Sequence, residues 1–134
     1  MKYLFRGKRI SDGRWVHGSL IETPEGMVIT GHEGDEAFYH AVVPETVGIS
    51  TGKRGFHEER IFTGDIVLTR YWSGTLAIGD IVFNEKTSSF RLRFKDYGNS
   101  IGESNTSKLS KFEELQVIGN IFDTPDLLEI RTGR

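Results

Sequence analysis

Arg60-Ile61-Phe62-Thr63-Gly64-Asp65-Ile66-Val67-Leu68 decides the fold, because a Gly-Asp turn lies there between two apolar runs. The β-branched and aromatic residues of both runs are typical of strands. The centre of the stretch recurs downstream as Gly79-Asp80-Ile81-Val82, again after a turn-prone segment. We therefore predict that each copy leads into a strand of one sheet, and that the first copy bends the chain into a small β-barrel.

Composition also favours a β-rich fold. The 134 residues include 16 glycines but only 3 prolines, which favours short strands with tight turns over long helices. Hydrophobic residues make up 37% of the chain and charged residues 27%, as in ordinary globular domains. A chain of this length buries a real core, either as one domain or as two small subdomains that share a core.

Several classes of protein are excluded or disfavoured. The chain has no cysteine, so it has no disulfide framework, thiolate metal site or cysteine nucleophile. Charged residues follow Met1 too soon for a signal peptide, and no apolar run approaches membrane-spanning length. We expect a soluble, cytoplasmic protein without a membrane partner. The net charge of -2 gives no overall attraction to nucleic acid.

The N-terminal half reads as a β-meander. Strands are predicted at residues 4–10, 15–21 and 27–30, separated by turns at residues 11–14 and 23–26. Residues 31–40 are acidic and weakly patterned, which predicts an exposed, mobile loop before the next strand. Pro44 ends a ladder and opens a short helical turn. We expect an N-terminal β subdomain at residues 1–55 and a barrel subdomain at residues 56–134.

The C-terminal half contains the clearest strand. Residues 90–95 alternate strictly, so Phe90, Leu92 and Phe94 face the core while the basic residues between them face water. Residues 96–107 form a polar loop. Residues 110–113 fit a capping box that begins a short helical turn, and residues 115–122 read as a strand. A cap residue and proline at residues 124–125 predict a short C-terminal helix.

Five motifs in a fixed order resemble the YopX-type family of bacteriophage and prophage proteins. They lie at residues 5–8, 13–18, 43–48 with Thr51-Gly52, 61–67, and 117–128, and so span the chain. The chain departs from the family pattern at Ile49-Ser50 and at Thr63. The resemblance implies a β-rich fold with an SH3-like barrel in the C-terminal half. It implies no activity and supplies no catalytic or binding residue.

A basic strand face is the strongest binding candidate that the residues offer. It comprises Arg91, Arg93 and Lys95, joined by Lys108, Lys111 and the adjacent aromatics Tyr71 and Trp72. Basic grooves with stacking platforms hold single strands or RNA on small barrels. The alternative is that an alternating strand simply presents polar groups to water. Tyr71 and Trp72 also fit a protein-binding anchor or a cap on their own barrel.

Two further sites are weighed for metal binding and catalysis. The segment from His32 to His40 collects imidazoles and carboxylates, but their spacing matches no defined metal geometry, so we predict neither metal nor cofactor. Asp65 and Asp80 would suit a hydrolase only if both carboxylates lay in one cleft. An aspartate before a strand more commonly bonds its own backbone. We predict that the protein is not an enzyme.

Three functions follow from these candidates. The preferred one is a non-enzymatic interaction module that self-associates or binds a host or phage protein, because a small β-rich fold leaves strand edges to be covered. The second is a nucleic-acid-binding barrel that uses the basic face. The third is a hydrolase that uses Asp65 and Asp80.

Overall fold

A computed structural model of the protein describes residues 4–70, 73–94 and 106–129. It confirms a mainly β fold, built from antiparallel strands. The chain divides into two compact units, Met1–Ser50 and Thr51–Arg134. Among the described residues no helix is long and apolar enough to cross a membrane.

The first unit confirms the predicted meander and extends it. Its strands follow the order β4-β3-β2-β1-β5 within a six-stranded sheet, whose sixth strand, β6, lies in the second unit. The strands are β1 Phe5–Lys8, β2 Trp15–Thr23, β3 Gly26–Glu33, β4 Glu36–Val42 and β5 Gly48–Arg54, which continues into the second unit. The end of β4 returns to the chain after β1, where Arg9 bridges Val42. A 3₁₀ turn at Pro44–Thr46 follows, as proline predicts.

The expected loop at residues 31–40 is wrong, because these residues complete a regular hairpin of β3 and β4. Glu33 pairs with Glu36 across a two-residue turn, and Gly34 takes its first central position with φ +61°. The ladder continues through Gly31 opposite Phe38 and Ile29 opposite His40. The sequence pattern did not reveal β4, because exposed polar side chains lie on both faces of the hairpin near its turn. Turn geometry and pairing to β3, rather than apolar alternation, determine the fold of this segment.

Aromatic and basic side chains pack together on β1 and β2. The guanidinium carbon of Arg6 lies 4.6 Å from the ring centre of Trp15, and Nζ of Lys8 lies 5.5 Å from it. Lys8 is directly opposite Trp15 in the antiparallel register. The alternating β1 cations therefore share a face with the indole and stabilise this strand pair through cation–π attraction.

The second unit contains a five-stranded sheet with the order β10-β9-β8-β7-β11. Its strands are β7 Asp65–Arg70, β8 Leu76–Asn84, β9 Ser89–Phe94, β10 Thr106–Lys108 and β11 Leu115–Asn120, and β6 Arg60–Phe62 precedes them. The sheet has two ends, β10 and β11, and no pairing closes it within the described residues. The predicted closed barrel is therefore not observed.

The core of the second unit confirms the predicted alternation of β9. Leu92 is fully buried in a cluster with Ile61, Val67 and Ile81, and Phe90 and Phe94 pack against that cluster. The strands of the two Gly-Asp-Ile-Val copies, β7 and β8, are neighbours, and β9 lies next to β8. The inward face of these three strands is the hydrophobic core.

The two Gly-Asp-Ile-Val copies nevertheless have different roles. Gly64 lies in the turn before β7 with φ +92°, as predicted. Gly79 and Asp80 lie inside β8, so the interpretation of this second Gly-Asp pair as a turn that leads into a strand is wrong. A Cβ on Gly79 would lie 2.5 Å from the carbonyl oxygen of Arg93. Glycine is required there because β9 approaches closely.

Helical segments are limited to 3₁₀ turns among the described residues. The capping-box segment forms one at Leu109–Lys111 without a side-chain cap, so that predicted cap is wrong. The predicted C-terminal helix is instead a five-residue 3₁₀ segment, Pro125–Glu129. Proline occupies its first position, as expected, but five residues are too few to form a stable α-helix.

Candidate functional site

An ion pair neutralises part of the predicted basic face. Arg93 binds Asp80 in a two-pronged ion pair, with Nε to Oδ1 at 3.1 Å and Nη2 to Oδ2 at 2.8 Å. Asp80 is 1% exposed, so Arg93 neutralises a buried carboxylate. Arg91 lies opposite Lys108 of β10. Lys95, Tyr71 and Trp72 lie outside the described residues.

The two candidate catalytic aspartates do not share a cleft. Ile66 is directly opposite Asp80 in the β7–β8 register, so their side chains occupy one face. Asp65 precedes Ile66 and therefore belongs to the other face. Its Oδ2 accepts the Phe62 amide N–H at 2.8 Å, across the turn. Asp65 thus bonds the backbone of its own turn, and Asp80 binds Arg93.

The candidate metal residues are spread over both faces of the β3–β4 hairpin. His32 is opposite Ala37, whereas His40 lies an odd number of residues from Ala37 on the same strand. The two imidazoles therefore point to opposite faces. Within residues 4–70, 73–94 and 106–129, no three His, Asp or Glu side chains form a group suited to a metal ion.

The sequence did not single out the outer edge of β4, which is the first strand of its sheet. In an antiparallel pair, residues that exchange hydrogen bonds alternate with residues whose backbone groups point away. From Ala41 onward the edge is occupied, because Val43 N–H donates to Lys8 O at 2.8 Å. Ile10 N–H donates to Ala41 O at 3.0 Å. Residues 41 and 43 thus direct backbone groups outward, away from β3.

The same alternation places the outward backbone groups of the rest of β4 on Ala37 and Tyr39. Strand β4 ends its sheet, and no backbone bond from Ala37 or Tyr39 to an element beyond that edge occurs in the described part of the chain. Each residue there offers one N–H and one C=O to a further strand. Residues 36–40 are therefore an open edge, which we call the β4 edge.

Side chains beside the β4 edge are exposed and partly apolar. Tyr39 and Ile10 are each 64% exposed, and they line one shallow groove with Met27 and Ala41. On the other face the Phe38 ring lies over Gly31, where a Cβ would come within 2.6 Å of it. The ring also stacks on His40, with 5.5 Å between centroids. These contacts hold the Phe38 ring against β3.

The corresponding edge in the second unit is occupied. Phe56 N–H donates to Leu115 O at 2.7 Å, and Val117 N–H donates to Glu59 Oε2 at 3.1 Å. Glu59 Oε1 also accepts the His57 N–H at 2.8 Å. The loop before β6 thus binds the outward groups of β11, and its charge protects that edge. Only the β4 edge combines open backbone groups with exposed aromatic and aliphatic side chains among the described strands.

A sequence signal for the β4 edge existed. Gly34-Asp35 is a two-residue turn signal, and Ala37-Phe38-Tyr39 alone carries strand propensity in this region. That combination predicts a hairpin. Which of its strands ends the sheet depends on pairing with the chain after β1, and no local pattern encodes that pairing.

Comparison with known proteins supports the fold. The chain is similar to protein EF1440 from Enterococcus faecalis, a solved structure, with a TM-score of 0.55 and 17% sequence identity. The match covers 96% of this chain and 99% of the other. No curated protein matches. The family model described as YopX protein matches residues 5–129, nearly the whole chain, and the protein therefore belongs to the YopX family.

Proposed function

We propose that the protein is a non-enzymatic interaction module that associates with a second copy of itself through the β4 edge. One observation carries this proposal: Ala37 and Tyr39 direct their backbone groups out of the sheet along an exposed strand edge. Strand addition satisfies such groups with main-chain hydrogen bonds. The exposed Tyr39 and Ile10 supply apolar area beside them. We also propose that it acts in the cytoplasm of a bacterial host, as a phage or prophage product.

Protein binding is preferred over nucleic-acid binding because the basic face is partly neutralised. Arg93 is committed to Asp80, which removes one of the cations of that face. Nucleic-acid binding needs several cations along one track. Asp65 and Asp80 point to opposite faces of their sheet, which disfavours the hydrolase.

The test removes one outward N–H without changing the ladder to β3. Proline is tolerated on an edge strand where its missing N–H would face solvent. We therefore expect the wild-type chain to form dimers with rising concentration and Ala37→Pro to stay monomeric in sedimentation velocity. Pairing of two short edge strands makes a small interface. Association is therefore expected to be weak, with a Kd on the order of 10 µM or above.

The matched control is Ala37→Thr, which keeps the N–H and favours a strand. It should associate like the wild type. Far-UV circular dichroism and thermal unfolding verify that all three chains fold. A wild-type chain that stays monomeric up to millimolar concentration contradicts the proposal, as does association of Ala37→Pro equal to that of the wild type.

A further inference from the structure

We infer that two copies pair their β4 strands antiparallel about a two-fold axis at Phe38, so that Ala37 of each chain lies opposite the partner's Tyr39. This inference rests on the proposed function, since it names the register of the same edge. It makes the interface self-complementary and closed.

The backbone restricts the register. Hydrogen-bonded pairs require residues with outward groups on both strands, which limits the choice to Ala37, Tyr39 and Ala41. The carbonyl of Ala41 already accepts Ile10 N–H. Pairing Ala37 with the partner's Tyr39, twice by symmetry, forms four hydrogen bonds and uses no group that is already bonded. A register shifted toward residue 41 uses that occupied carbonyl, and one shifted toward residue 35 runs into the Gly34-Asp35 turn.

Side-chain chemistry selects the same register. With Phe38 opposite the partner's Phe38, Glu36 lies opposite the partner's His40, and the reverse pair forms by symmetry. These are the closely spaced, non-hydrogen-bonded positions, where side chains interact most strongly. On the other face the exposed Tyr39 lies opposite the small side chain of the partner's Ala37. The shifted registers place Phe38 opposite the partner's Glu36 or His40 and lose both carboxylate–imidazole pairs.

The register also limits the size of the assembly. Each chain uses its β4 edge once, and the two-fold axis consumes both edges. The expected product is a dimer and not a growing chain of copies.

A cysteine scan reads the register directly, because the natural chain has no cysteine. Opposed residues in a non-hydrogen-bonded pair have Cα atoms about 4.5 Å apart, within disulfide range. Phe38→Cys should therefore form a disulfide-linked dimer on mild oxidation, seen on non-reducing gels. Tyr39→Cys should crosslink much less, because its symmetry mate lies diagonally, beyond about 7 Å. Preferential crosslinking through Tyr39→Cys or Ala37→Cys would assign a shifted register and overturn the inference.

A charge swap gives a second readout that does not remove the Phe38 ring. Glu36→Lys places a lysine opposite the partner's imidazole, and His40→Glu places two carboxylates opposite each other. Each single change should raise the dimer Kd about 5-fold or more, since two opposed pairs are altered per dimer. The double variant should return the Kd to within about 2-fold of the wild type. Additive weakening in the double variant contradicts the register.

The two proposals fail in distinguishable ways. If Ala37→Pro is monomeric but the charge swap does not restore association, the β4 edge is the interface and the register is wrong. If Ala37→Pro associates normally, both the interface and the register are wrong.

Discussion

Glu59 shows how one side chain stabilises a strand edge. Partial burial raises the pKa of its carboxyl, but hydrogen bonds from the backbone N–H groups of Glu59, Val117 and His57, with the nearby imidazole of His57, outweigh this and lower the pKa from 4.5. The carboxylate also fills the space beside Gly55, where a Cβ would lie 2.4 Å from it. Glu59 therefore holds its loop against β11 more strongly when it is charged.

Glu59→Gln should lower the free energy of unfolding by about 1 kcal/mol near neutral pH, because an amide cannot accept both N–H groups with two oxygens. The folded pKa lies below the unfolded value. The contribution of the carboxylate is thus fully present above pH 4.5 and is lost as the pH falls through the folded pKa. Urea unfolding between pH 3 and 7 measures the difference between the two chains.

The exposed neighbour Glu58 provides the control. Its backbone is in the left-handed region with φ +64°, and Glu58→Gln leaves that strain unchanged. This variant should unfold like the wild type at every pH. A Glu59→Gln deficit that persists unchanged at pH 3 would show that packing, and not charge, carries the effect.

Among the elements, the two Gly-Asp-Ile-Val copies require glycine for different reasons: the first for its backbone conformation and the second for lack of space. Gly64→Ala forces a side chain into a left-handed turn and should cost about 1 kcal/mol. Gly79→Ala drives a Cβ into the backbone of β9, which cannot rotate away, and should cost more, about 1–3 kcal/mol. Hydrogen exchange of the β8–β9 amides should accelerate in Gly79→Ala.

Gly13→Ala measures the turn penalty by itself. Gly13 has φ +73°, and nothing lies within 4 Å of a Cβ built on it. Its cost should equal that of Gly64→Ala if φ alone matters. A Gly79→Ala cost below that of Gly13→Ala would contradict the close approach of β9.

Local pattern predicted those elements in which side-chain period and burial agree. Strand β9 is the clearest case, because Phe90, Leu92 and Phe94 alternate with polar residues and pack inward. The hairpin of β3 and β4 escaped prediction, since exposed and half-buried polar residues interrupt any apolar period along its outer strand. The second Gly-Asp pair misled for a related reason: a local turn signal cannot report a distant strand that passes close to Gly79.

The candidate site was less predictable than the fold. The sequence identifies Arg93 as a cation on a strand but cannot reveal that Asp80, thirteen residues earlier, lies opposite it in the register. An open edge is likewise a property of sheet order. The side chains of Ala37 and Tyr39 do not reveal the open edge, since the groups that define it are backbone groups common to nearly all residues.

For the whole molecule, the number of strand edges that accept a partner would limit the size of the proposed assemblies. The β4 edge is open, while the outward groups of Leu115 and Val117 on β11 are bound by Phe56 and Glu59. A chain that pairs through the β4 edge alone closes as a dimer, and a chain that pairs through a second edge as well can extend. In this interpretation Glu59 prevents the chain from polymerising through the β11 edge.

Glu59→Ala should therefore add species larger than a dimer to the wild-type distribution in sedimentation velocity, because it exposes the Val117 N–H and shortens the side chain that covers it. Adding Ala37→Pro to this variant should remove those larger species and leave at most dimers through β11. Glu58→Ala, which leaves the carboxylate on Val117, should behave like the wild type. If Glu59→Ala remains monomeric or dimeric at every concentration, Phe56 protects the β11 edge without the carboxylate, and edge number does not determine assembly size.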